Sequence, residues 1–166
     1  MFKRFVLLFL LISACGLYSV NAQEKGFQGF VLKGFQGCVE TKTSVLLGGG
    51  FDFGASLIGG YRYGAHFVGL GIGYDFWQSV PVFVNYKCYI RDMGSFVTIM
   101  DISAGSDLSE LVNGNGPMYS YFAEGCFGFS YSLFNNFCLL GGIGLTVMGG
   151  GNSFSLGPSL KLGFSF

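Results

Sequence analysis

From Ser153 to Phe166 the chain alternates. Phe154, Leu156, Pro158, Leu160, Leu162, Phe164 and Phe166 are apolar, and Ser153, Ser155, Gly157, Ser159, Lys161, Gly163 and Ser165 are small or polar. A period of two belongs to a β-strand with two unlike faces. This strand closes on an aromatic residue with no polar tail behind it, which points to a membrane rather than to the cytosol.

The same period recurs in seven earlier segments. The first lies within Gly26 to Thr43 and holds a near-repeat, Gly26-Phe27-Gln28-Gly29 and Gly34-Phe35-Gln36-Gly37, too short for a solenoid unit. Its facing is open. The next segments fall near Phe51–Tyr63, Ala65–Phe76, Val80–Ile90, Ser95–Gly105, Met118–Tyr131 and Phe137–Val147. Each is close to the ~9–11 residues with which a tilted strand crosses a bilayer. Turn chemistry separates them: Gly48-Gly49-Gly50, Arg91-Asp92-Met93-Gly94, Asn135-Asn136 and Gly149-Gly150-Gly151-Asn152. No linker or second domain is visible.

The charges keep the opposite phase. Asp52, Arg62, Asp75, Lys87, Arg91, Asp101, Glu124 and Lys161 all lie on the face that carries Gly and Ser. A Lys or Arg turned to lipid at mid-depth costs ~2–4 kcal/mol, and a whole fold is stable by only ~5–15 kcal/mol. These eight side chains are therefore expected inside, as an ion-paired network. A closed sheet leaves no unpaired edge for hydrocarbon to strand, and eight strands make a lumen that side chains just fill. The expected fold is all-β: a closed antiparallel up-and-down eight-stranded transmembrane β-barrel, plugged rather than open.

Composition agrees. Gly supplies 29 of 166 residues, more than twice the usual ~7%, and Phe, Tyr and Trp together make 18%. Helices tolerate such a glycine content poorly. A twisted barrel uses glycine for close approach and aromatics at the lipid–water boundary.

Residues 1–22 read as a secretory leader. Lys3 and Arg4 precede the apolar stretch Phe5–Ala14, which is too short to span as a helix, and Val20-Asn21-Ala22 suits cleavage. Residues 23–166 would then form the single barrel domain. A competing reading takes Ile12-Ser13-Ala14-Cys15 as a lipobox with Cys15 lipidated. Loss of the leader removes Lys3 and Arg4 and leaves seven basic residues against nine acidic. Nothing in that balance suits nucleic acid. The remaining cysteines, Cys38, Cys88, Cys126 and Cys138, have no disulfide or zinc spacing and read as small apolar fillers.

Several stretches resemble the small eight-stranded outer-membrane barrels common in Bacteroides and its relatives. They are Lys25-Gly26-Phe27-Gln28-Gly29-Phe30-Val31, Phe67-Val68-Gly69-Leu70-Gly71-Ile72-Gly73-Tyr74, Val80-Pro81-Val82-Phe83-Val84 and the terminal Leu162-Gly163-Phe164-Ser165-Phe166. The resemblance covers nearly all of Gly26 to Phe166. It implies an outer-membrane location in a Gram-negative bacterium, outer-membrane lipid as the surroundings, and insertion by the barrel-assembly machinery through the last strand. Phe164 and Phe166 would carry that insertion signal, because Lys161 stands where the usual signal has Gly. Both termini would be periplasmic.

No catalytic set emerges. His66 falls near a turn on the lipid side, an interfacial ring rather than a base. Trp77 reads as part of an aromatic girdle. The clusters Gly69-x-Gly71-x-Gly73 and Gly141-Gly142-x-Gly144 are followed by no helix and no Gly-Lys-Ser/Thr, so they are not phosphate loops. They leave room for large inward neighbours. No cofactor or metal is expected. The longest connection, Ser106 to Pro117, would face outward, with Asp107, Glu110, Asn113 and Asn115 as the candidate surface contact. The expected role is structural or surface-interacting, without catalysis. The alternatives are a small lipid-modifying enzyme of the outer membrane and a soluble or lipid-tethered lipocalin-like barrel holding an apolar ligand.

Overall fold

The computed structural model describes residues 33–47, 50–76, 79–108, 121–134, 137–150 and 153–166. The expected leader, Cys15, the motif Lys25–Val31, Trp77, Glu110, Asn113 and Asn115 lie outside them. Eight strands follow one another: β1 (Lys33–Leu46), β2 (Gly50–Tyr63), β3 (His66–Asp75), β4 (Pro81–Met93), β5 (Phe96–Asp107), β6 (Tyr121–Phe134), β7 (Phe137–Gly150) and β8 (Ser153–Ser165). Each pairs antiparallel with the next, and β8 returns to β1, so the sheet is a closed barrel. Closure extends to the final residue. Gly37 and Phe166 exchange both backbone hydrogen bonds, at 2.8 and 2.9 Å, and the Phe166 ring covers the space that a side chain at Gly37 would need.

Two-residue turns join β2 to β3 and β4 to β5. Gly64 (φ 59°) and Gly94 (φ 82°) supply the left-handed backbone these turns require. Both turns lie at the end that also holds the start of β1 and the end of β8, called here the terminal end. The connection from β5 to β6 lies at the opposite, loop end.

The alternation of the sequence becomes a division between two surfaces. Along β3 the exposed residues are His66, Val68, Leu70, Ile72 and Tyr74, and the buried ones are Phe67, Gly69, Gly71, Gly73 and Asp75. The outer surface carries Phe35, Tyr61, Tyr63, Phe129, Phe134 and Phe164 toward the terminal end. Phe51, Phe53, Tyr74, Phe76, Tyr121 and Phe154 lie toward the loop end, and Leu70, Ile72, Val84, Ile102, Ile143 and Leu145 between. Aromatic belts flanking an aliphatic band suit a bilayer's two interfaces and its hydrocarbon.

The apolar core is inside the barrel. Cys38, Ile58, Phe67, Tyr89, Ile99 and Leu140 fill the terminal half, and Phe83, Phe122 and Met148 the loop half. Glycine makes this possible. The Phe67 ring fills the space over Gly60 and Gly69, and the Phe83 ring that over Gly71. Any side chain at these positions would collide with the rings.

Two irregularities alter the expected pattern. The β4–β5 register shifts between Tyr89 and Arg91, and the β6–β7 register between Ser132 and Phe134. Lys87 pairs with Asp101 and Tyr89 with Ile99, but Arg91 pairs with Thr98 and Asp92 with Val97. The bulge therefore shifts the backbone register of Arg91 and Asp92 by one position relative to that of Lys87 and Tyr89. Asp107, expected in the exposed loop, closes β5 instead and is buried.

Candidate functional site in the barrel lumen

Alternation and strand pairing together place charge at the centre of the barrel. Lys87 and Asp101 are direct partners across β4 and β5. Glu40 enters from β1, Glu124 from β6 and Lys161 from β8. All five are buried, and Lys87 has no exposure at all. The Lys87 ammonium lies 2.6 Å from Glu40 Oε1 and 2.6 Å from Asp101 Oδ2. Lys161 Nζ lies 3.1 Å from Asp101 Oδ2, 3.2 Å from Glu124 Oε2 and 3.6 Å from Glu40 Oε2. Two ammonium groups and three carboxylates thus tie five strands into one layer.

Neutral groups complete it. The Asn85 side-chain amide donates to Asp101 Oδ1 and to Ser103 Oγ, at 2.5 and 2.9 Å. Thr146 Oγ1 donates to Glu124 Oε1 at 3.4 Å. Cys126 Sγ stands 3.5 Å from Glu124 Oε1 and 3.7 Å from Ser159 Oγ. In a region sealed from water each such partner matters, because a buried polar atom without one costs ~1–3 kcal/mol.

Toward the loop end a second pair joins Lys42 to Asp52 at 3.2 Å, with Ser44 Oγ donating to the same carboxylate at 3.4 Å. Nearby, Asp75 accepts from the Ser79 amide at 2.9 Å, and Asp107 accepts from Ser79 Oγ at 2.5 Å and the Val80 amide at 3.1 Å. These two carboxylates fasten the segment leading into β4. A cavity of about 40 Å³, lined by Glu40, Lys42, Glu124 and Lys161 among others, separates the loop-end groups from the central layer. That is space for a water molecule or so.

At the terminal end Arg62 faces inward. Its described partners are the Tyr89 ring, 3.6 Å from the guanidinium carbon, and the Gly64 carbonyl, to which Nε donates at 3.1 Å. It does not join the central layer, from which Phe67, Ile99 and Leu140 separate it.

The lumen therefore brings Lys87, Asp101, Glu124 and Lys161 together, holds Asp52 and Asp75 near the loop end, and leaves Arg62 apart. Glu40 and Lys42 belong to these groups and were not singled out from sequence. Their signal was present: both share the phase of Cys38 and Ser44, but the facing of the first strand was open.

His66 is exposed on the outer surface, with Nδ1 2.7 Å from the Tyr86 hydroxyl. The four described cysteines are free, Cys38 and Cys126 buried and Cys88 and Cys138 half-buried. Among the described residues no three His, Cys, Asp or Glu side chains converge to hold a metal ion. Nor is any described helix long and apolar enough to cross a membrane; the strands have the length to do so.

A closed eight-stranded sheet with an apolar outside and an ion-paired inside is the architecture of a transmembrane β-barrel. Solved structures agree on the fold. The Neisserial surface protein A, NspA, matches with a TM-score of 0.57 at 13% identity over 85% of this chain and 98% of that one. A de novo designed transmembrane β-barrel matches with a TM-score of 0.54 at 11% identity over 79% of this chain and 93% of that one. No protein-family model matches the chain, and no curated protein does.

Proposed function

We propose that this chain is an integral outer-membrane β-barrel whose ion-paired interior holds the wall together, with a structural or surface-contact role and no chemistry of its own. The observation that carries the reading is the division of each strand into an exposed apolar face and a buried face holding Glu40, Lys87, Asp101, Glu124 and Lys161. The terminal end is the periplasmic one in this proposal, because short turns sit there and the longest connection sits at the other. Residues 109–117 then offer the outward contact, and Phe164 and Phe166 the signal read during insertion. The likeness to the Bacteroides-type barrels supports the same placement through the motifs at Phe67–Tyr74 and Val80–Val84.

Two experiments test it. Residues 23–166, refolded, should need detergent to stay monodisperse and should migrate faster on a gel before boiling than after. A chain that stays monodisperse in plain buffer defeats the membrane assignment. With Cys38, Cys88, Cys126 and Cys138 replaced by Ala, a cysteine at Asn113 should react with an impermeant label on intact cells and one at Asn135 should not. The reverse labelling inverts the orientation.

A further inference from the structure

The outer surface at the terminal end is not uniformly apolar. Backbone register lines up Lys33, Tyr63, His66 and Cys88 in one row across β1, β2, β3 and β4. Lys33, Tyr63 and His66 are all exposed. The Lys33 ammonium lies 4.4 Å from the centre of the Tyr63 ring, which holds the charge at the surface. His66 stacks on Tyr86, ring centres 6.0 Å apart, and its Nδ1 meets the Tyr86 hydroxyl. When that hydroxyl donates to Nδ1, the ring proton sits on Nε2, which makes Nε2 a donor.

The base beneath this row is rigid. The turn at Gly64–Ala65 is tied by Arg62 Nε to the Gly64 carbonyl and by the Tyr89 amide to the Ala65 carbonyl, 2.8 Å. Lys33 and, in that tautomer, His66 thus stand as donors on either side of Tyr63, with His66 preorganised by the hairpin. Neither this row nor the next one inward, Phe35, Tyr61, Val68 and Tyr86, contains a carboxylate.

One row further toward the middle of the barrel, on the same strand as Tyr63 and Tyr61, stands Gly59. It faces outward, and a side chain built there would meet nothing within 4 Å. Tyr61 and Leu70 flank it, 47% and 69% exposed. Gly59 therefore leaves a dent in the aliphatic band, and the exposed side chains of Phe35, Tyr61 and Val68 stand between it and the Lys33–His66 row.

We propose that this face binds one glycerophospholipid with a net anionic headgroup, its phosphate at the rim row of Lys33, Tyr63 and His66 and an acyl chain passing over Tyr61 to the dent at Gly59. The proposal rests on the membrane reading above and adds a headgroup preference to it. Polar donors at the rim above an exposed apolar wall fit an amphiphile, and the absence of carboxylates in these two rows fits an anion. A basic side chain near a membrane surface favours anionic lipid by about 1 kcal/mol, a factor of roughly five.

The test uses refolded residues 23–166 in detergent with equal amounts of phosphatidylglycerol and phosphatidylcholine, and counts retained lipid by native mass spectrometry. The intact chain should retain phosphatidylglycerol over phosphatidylcholine by at least about fivefold. Lys33→Gln with His66→Gln should bring the two lipids close to parity. Gly59→Leu, which fills open space and should fold normally, should lower retention of both lipids together. Equal retention by the intact chain overturns the proposal, as does a preference that survives the double substitution. Gel mobility before and after boiling, read on the same samples, separates a failed headgroup site in a folded barrel from a failed barrel.

Discussion

Two register pairs on the β3–β4 seam show how one wall serves two solvents. Phe67 faces Lys87 across the seam, and Leu70 faces Val84. The first pair has no solvent exposure, and the second is 69% and 52% exposed. In a soluble protein the pairs would trade places in part: the aliphatic residues would be buried and the lysine wet. Here the lysine is the buried member because the interior offers it Glu40 and Asp101, whereas the exterior would offer only hydrocarbon. Polarity has not been inverted wholesale, since Phe67 accompanies Lys87 inside. The interior is a mixed core, with an apolar half toward the terminal end and a charged layer above it.

The sharpest way to break this comparison is to remove the buried charge. Lys87→Met keeps much of the side-chain volume but leaves Glu40 and Asp101 facing each other with one shared ammonium fewer. Breaking a buried ion pair from one side costs ~3–5 kcal/mol. The urea midpoint for unfolding from phospholipid vesicles should fall accordingly. Adding Glu40→Gln and Asp101→Asn should recover most of the loss, because the stranded charges go with the lysine. A Lys87→Met variant as stable as the parent would mean that the layer does not bear on stability.

The complementary substitution tests the other face. Val84→Arg puts a cation where Lys87 sits only three residues away, but on the outer surface. At mid-depth the expected cost is ~2–4 kcal/mol, read by the same unfolding experiment. The same change at Tyr63, near the rim, should cost ~0–1 kcal/mol. If position along the axis made no difference, the belts would not mark two interfaces.

These contrasts also show what a single sequence can and cannot reveal. The fold was legible because nearly every strand keeps its period of two for ten or more residues. Lys87, Asp101, Glu124 and Lys161 were legible for the same reason: each is out of phase with a long apolar set. The bulge at Ile90 was not legible, because Tyr89-Ile90-Arg91 reads as ordinary alternation and only the partner strand reveals the register shift that pairs Arg91 with Thr98. Asp107 was misplaced because its partners, Ser79 and Val80, are remote in sequence. Glu40 and Lys42 were missed because the glycine-rich start of the first strand left its facing open. The inward rings were only half legible. The glycines foretold large neighbours, but that Phe67 covers Gly60 and Gly69 depends on register across β2 and β3.

The smallest effect concerns the second ion pair, and it bounds the role of the first. Lys42 and Asp52 lie 3.2 Å apart, yet the Lys42 side chain is 18% exposed where the central lysines are 0% and 8%. Water near the loop end screens this pair, and Ser44 remains to donate to Asp52 when the lysine is gone. Lys42→Gln should therefore cost no more than ~1 kcal/mol, with most of even that recovered by the glutamine's own hydrogen bonding. Raising the salt concentration should shift the parent slightly toward the variant and leave the Lys87→Met difference unchanged, since exposed pairs are screened and buried ones much less so. A Lys42→Gln loss as large as that of Lys87→Met would mean that the charged region extends through the 40 Å³ cavity to the loop end as one unit. The boundary drawn between the two layers would then have to be moved to the mouth of the barrel.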